Sequence, residues 1–175
     1  MNDYRDIEDD RKHPVKKFRP LASGAVSKSI ALIIAIGLII FAFGLAWYIR
    51  DKFLFVLAIY YVINLGYSFG LKNVSILDII LLAAGFVLRV KAGSVIAQVP
   101  LSEWIIIMVF LLALFMAIGK RRDDVILKLS SGQDMRKSIK GYNLDFLNTL
   151  MALICAVIIV AYFMYTMSEE VMVRY

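Results

Sequence analysis

One cysteine, Cys155, and one histidine, His13, stand in 175 residues. Cys155 lies inside the last apolar run, so a disulfide framework and a cysteine-based metal centre are excluded, and a packed thiol is the plain reading. His13 precedes Pro14. A lone histidine there reads as a loop residue before a general acid or base, and it is kept only as a substrate-contact candidate. The acidic start is the opposite of a basic leader before a short apolar core, so no secretory signal peptide is expected. No internal repeat, low-complexity segment or soluble domain is visible.

What fills the chain is apolar. Hydrophobic residues make up 61% and the mean hydropathy is +0.77, whereas soluble domains carry roughly 45–50% apolar residues. Five runs, at about 30–49, 53–70, 74–90, 104–119 and 146–167, approach or reach the ~18–20 residues that cross a hydrocarbon core. Only a helical bundle satisfies the backbone across such runs, so the fold class is all-α, a polytopic transmembrane bundle forming a single domain over 1–175. Ser27 or Ser29 is available to cap the first span, and Ser102-Glu103 opens the fourth. The segment 120–143 is expected to be a long loop with a short amphipathic helix around Val125, Leu127 and Leu129, broken at Gly132 and Gly141.

A net charge of +6 could suit nucleic acid, but five spans argue against that partner. The bases instead report orientation. Segments 1–29, 71–73 and 120–145 share one side and hold 15 of the 20 Lys and Arg residues. The positive-inside rule puts that side in the cytoplasm of a plasma (inner) membrane. Both charge-rich segments, 1–28 and 120–145, then face one compartment.

Four constellations carry chemistry. Asp3, Asp6 and Asp10, supported by Asn2 and Glu8, are spaced to share one helical face. Carboxylates gathered so closely repel unless a cation sits between them, and oxygen donors with a phosphorylated substrate suit Mg²⁺. The plain alternative is a solvated helix end. Behind them Lys12, Lys16, Lys17 and Arg19 can meet a diphosphate or anionic headgroups equally well. Gly119-Lys120-Arg121-Arg122-Asp123-Asp124 can grip phosphate and assist a metal, or simply stop a span. Within the spans, Tyr60, Asn64 and Tyr67 form a polar stripe leading towards Lys72, and Asp78 is ionisable about a turn and a half inside the third span. Groups at that depth line a wet cavity or bond neighbouring helices. Asp78 is the stronger functional candidate.

The opening pattern Asn2-Asp3-x-x-Asp6-x-Glu8-x-Asp10-Arg11, then His13-Pro14-x-Lys16 and Arg19-Pro20-x-Ala22-x-Gly24, resembles the UbiA superfamily of membrane transferases. Within it the chain is similar to the branch that moves phosphoribose onto polyprenyl (decaprenyl) phosphate. Tyr67-x-Phe69-Gly70-Leu71-Lys72, Leu88-Arg89 with Ala92-Gly93, Leu101-Ser102-x-Trp104, Phe115-Met116 leading to Gly119-Lys120-Arg121, and Arg136-Lys137-Ser138 extend the likeness over nearly the whole chain. The resemblance implies an intramembrane bundle of about nine spans, of which five are present, so the chain reads as part of a longer protein.

It further implies 5-phosphoribose transfer from phosphoribosyl diphosphate to a polyprenyl phosphate lipid, for cell-envelope polysaccharide synthesis. Asn2, Asp3, Asp6, Glu8 and Asp10 would hold Mg²⁺, with Asp3, Asp6, Asp10 and Asp124 as the catalytic set. Lys16, Arg19, Lys72, Lys120 and Arg121 would bind substrate phosphate, and Asn64, Tyr67 and Asp78 would line the cavity. Asp124 stands where close relatives carry Glu. Arg122-Asp123-Asp124 is also similar to the second motif of relatives that prenylate aromatic acceptors, which keeps prenyl transfer from a prenyl diphosphate as the alternative. A non-catalytic membrane component is the third reading. Homo-oligomerisation is left open.

Overall fold

The computed structural model describes residues 4, 7–12, 16–131, 137–168 and 171. All the regular structure among them is helical, in two compact units, 1–68 and 69–175. Five helices are long and apolar enough to cross a membrane.

The first unit opens with the short helix α1 (Ile7–Lys12) and a 3₁₀ turn (Lys16–Phe18), followed by α2 (Lys28–Ile49) and α3 (Asp51–Phe69). Ser27 caps α2, its Oγ accepting from the Ile30 N–H at 3.3 Å. At 1.5 Å per residue, the 22 residues of α2 span about 33 Å, enough for a hydrocarbon core of ~30 Å. Its apolar side chains point in every direction, with Ile33, Ile40 and Phe41 all about two-thirds exposed, as befits a helix whose solvent is lipid. Arg50 alone separates α2 from α3. Phe43 and Tyr61 meet edge to face at 5.7 Å.

The second unit begins with a 3₁₀ turn (Leu71–Asn73), then α4 (Leu77–Ala97), α5 (Glu103–Ser131), a 3₁₀ turn (Lys137–Gly141) and α6 (Leu144–Thr166). Helix α5 packs against both α4 and α6, and the two 3₁₀ turns meet each other. The core is not midway along the spans. Ile79 from the start of α4, Ala117, Ile118 and Val125 from α5, and Ile139, Tyr142 and Leu147 gather at one end. Asp78 and the charged stretch 120–124 lie at that same end.

The first two spans each start two residues earlier than the sequence reading, and the last three differ from it near the site. The third helix starts at Leu77, because 74–76 turn and Ile76 has φ 70° and ψ −47°. It then runs past Arg89 and Lys91 to Ala97. The fourth does not stop at Gly119 but continues to Ser131, so Lys120 to Asp124 stand on a continuous helix and no separate amphipathic helix forms there. The last starts two residues early, since Asn143 is its cap and Oδ1 accepts from the Phe146 N–H at 2.7 Å.

Candidate active site

In the first unit, Asp10 is 4% exposed and accepts from Arg19 Nη1 at 2.9 Å. Its neighbour Arg11 donates from Nε to the Ala22 carbonyl at 3.1 Å. Two adjacent residues of α1 are thereby tied to the segment after the 3₁₀ turn. That segment is itself folded: the Ser23 N–H donates to the Arg19 carbonyl and the Val26 N–H to that of Pro20. Gly24, at φ 82°, supplies the left-handed turn that a side chain would disfavour. Glu8 is exposed. Asn2, Asp3, Asp6 and His13 lie outside the described residues, as does the side chain of Lys16.

Asn64, expected in a cavity wall, is exposed and donates its amide to the Tyr60 carbonyl of its own helix at 2.7 Å. Tyr67 is half-buried.

The second unit holds a buried polar chain. Arg121 Nε is 2.5 Å from Asp78 Oδ2, and Arg121 Nη1 is 3.2 Å from Asp124 Oδ2. Tyr142 donates its hydroxyl proton to Asp78 Oδ1 at 2.7 Å and accepts from the Ile76 N–H at 2.6 Å. The side chains of Asp78 and Arg121 are 0% and 1% accessible, and that of Asp124 is 15%. Residues expected in three different roles are thus brought into one network. Burial, aided by the bond to Asp78, pushes the Tyr142 hydroxyl above its ordinary value, so it stays protonated.

Around this network the turns interlock. Ser75 Oγ donates to the Ser138 carbonyl at 2.7 Å, and a Cβ on Gly141 would collide with Ser75 Oγ and Cβ. Ser138 Oγ is buried without a hydrogen-bond partner among the described residues. At the rim, Lys120 is exposed, Lys72 is half-buried on its 3₁₀ turn, and Arg122 Nε donates to Asn148 Oδ1 at 2.7 Å.

Tyr142 is the residue that sequence reasoning missed. The available signal was a hydroxyl-bearing aromatic between a glycine and a helix-capping asparagine, at the mouth of an apolar span. Among the described residues no three His, Cys, Asp or Glu side chains cluster as a metal site. The donors of the first motif are nonetheless all oxygen, the set that suits Mg²⁺.

A charge-rich helix precedes one span and a second acid-and-base motif stands on the extension of another, in a polytopic helical membrane protein. The UbiA prenyltransferase family matches residues 1–126, and the chain belongs to that family. Decaprenyl-phosphate phosphoribosyltransferase of Mycolicibacterium smegmatis is 36% identical over 170 residues, covering 97% of this chain and 54% of that protein. The protein so named in Corynebacterium glutamicum is 36% identical over 164 residues, covering 93% and 49%. The chain therefore spans about half the length of these curated relatives. A UbiA homologue from Archaeoglobus fulgidus, solved bound to DMAPP and Mg²⁺, superposes with a TM-score of 0.80 at 22% identity, covering 98% of this chain and 63% of that one. It shares the fold. Five apolar helices and family membership make the chain an integral membrane protein.

Proposed function

We propose that the protein transfers 5-phosphoribose from phosphoribosyl diphosphate to a polyprenyl phosphate such as decaprenyl phosphate, supplying a lipid-linked pentose for cell-envelope polysaccharide. One observation carries this reading: the likeness to named decaprenyl-phosphate phosphoribosyltransferases covers 97% and 93% of the chain, and so runs beyond the family match at residue 126. The membrane is the plasma (inner) membrane, with segments 1–28 and 120–145 in the cytoplasm, where the basic residues concentrate.

Asp3, Asp6 and Asp10, with Asn2 and Glu8, would hold Mg²⁺. Once bound, the ion neutralises the charge that grows on a leaving diphosphate. Fixed cations do the same work from the protein side. Lys120 is exposed and Arg19 is 40% accessible, so both can reach a soluble phosphate, and Lys16 and Lys72 belong to the same set. Asn64 and Tyr67 keep a proposed cavity-lining role on α3, and Asp78 acts through the buried network of the second unit. The lipid phosphate attacks the anomeric carbon, the bond to diphosphate breaks, and its electrons leave with the diphosphate. Charge at a membrane boundary suits this joining of a soluble donor to a lipid acceptor.

The test uses membranes containing the protein, Mg²⁺, polyprenyl phosphate and ribose-labelled phosphoribosyl diphosphate, with Asp6→Ala as control. Label entering an organic-extractable lipid, and lost in the control, is the expected result. No transfer by folded protein overturns the reading and directs the next assay to prenyl diphosphate donors.

A further inference from the structure

The buried chain in the second unit has an inside and an outside. Arg121 is sealed, with 1% of its side chain accessible, whereas Asp124, bonded to it, keeps 15%. Of the two, only the carboxylate reaches solvent.

We infer that Arg121 is a positioning residue that fixes Asp124, is itself fixed by Asp78 and Tyr142, and does not bind the substrate phosphate. An i,i+3 pair on a helix surface is worth only a few tenths of a kcal/mol, too little to hold Asp124 in one rotamer. Here the guanidinium cannot turn. Its Nε is taken by Asp78 Oδ2, so the rigid fork presents Nη1 to Asp124. Asp78 cannot turn either, because Tyr142 occupies Oδ1 while being held by the Ile76 N–H. The network links the start of α4, α5 beyond its midpoint, and the residue before the α6 cap. Of Lys120 and Arg121, Lys120, exposed on the same helix, is left as the one that meets phosphate.

This rests on the phosphoribosyl-transfer reading. The test measures kcat and KM for phosphoribosyl diphosphate, and amide hydrogen exchange over residues 120–126, in Asp78→Asn, Tyr142→Phe, Arg121→Lys and Lys120→Ala. A phosphate ligand tolerates lysine, which binds phosphate as a point charge, but a fork does not. Arg121→Lys and Asp78→Asn should each lower kcat about 10–100-fold with KM within about threefold, and their double variant should lose little more than the worse single one. Lys120→Ala should instead raise KM about tenfold or more. Near-normal kcat in Arg121→Lys, or a raised KM there with Asp78→Asn unaffected, overturns the inference. Tyr142→Phe, nearly isosteric, keeps the test open where a charge variant fails to fold. If the unaltered protein moves no phosphoribose, the reaction assigned above falls, and exchange alone decides. Faster exchange over 120–126 in Asp78→Asn and Tyr142→Phe than in Lys120→Ala supports positioning; equal rates overturn it.

Discussion

Arg121 and Asp78, 43 residues apart, meet at 2.5 Å with neither side chain more than 1% accessible. A pair so enclosed contributes little compared with a well-packed apolar pair, but it is costly to break. Asp78→Ala should destabilise the protein by about 3–5 kcal/mol, because Arg121 keeps its charge without that anchor. Replacing both residues by leucine should cost clearly less than the two single changes added together. Unfolding in detergent micelles measures all three, and additive losses would show that the two residues do not act as a pair.

Gly141 is required by its neighbour and not by its own backbone angles. Any Cβ there would strike Ser75, whose hydroxyl is committed to the Ser138 carbonyl. Gly141→Ala should therefore cost about 1–3 kcal/mol, the usual penalty for overpacking. Adding Ser75→Gly removes both clashing atoms and should recover part of that loss. A destabilised double variant no better than Gly141→Ala would mean that the clash is not the cause.

In the first unit the ion pair is asymmetric. Asp10 is 6% accessible and Arg19 40%, so the carboxylate depends on the pair more than the guanidinium does. With the role proposed for the first motif, Asp10→Asn should lower transfer about 100-fold or more, and Arg19→Lys by about tenfold or less. Initial rates at saturating and limiting phosphoribosyl diphosphate separate the two. Equal losses would place both residues in one role.

Much of this was legible beforehand, and the reasons are physical. Five long apolar runs, four of them without a formal charge, could only be membrane helices, and Ser27 was one of the two serines offered as the first cap. Asp78 stood out because an ionisable group within a span needs a partner. Its partner could not be read, since Arg121 looked like one of three bases ending a span. Helix α5 continues through that basic stretch because 120–131 contain no proline or glycine, and Val125 is buried in the core. Local charge suggested a loop, and packing decided otherwise. Tyr142 was hidden for a related reason: its importance lies in the contact with residues 76 and 78, which no local pattern announces.

The hydroxyl of Tyr142 gives the network a dependence on alkaline pH. Burial and the hydrogen bond to Asp78 raise its pKa on folding, so the native state holds the proton more tightly than the unfolded chain does. The sign follows from linkage. The contribution is fully present below the ordinary tyrosine value of about 10 and is lost progressively as pH rises above it. Tyr142→Phe lacks this group, so the stability gap between the two proteins should be constant from pH 7 to about 9.5 and shrink beyond it. Below that range the gap should be about 1–3 kcal/mol, since Asp78 and the Ile76 N–H both lose a buried partner. Unfolding midpoints across the series, in one detergent, measure it. A gap that stays unchanged up to pH 11 would show that Tyr142 ionises no differently in the folded protein than in the unfolded chain.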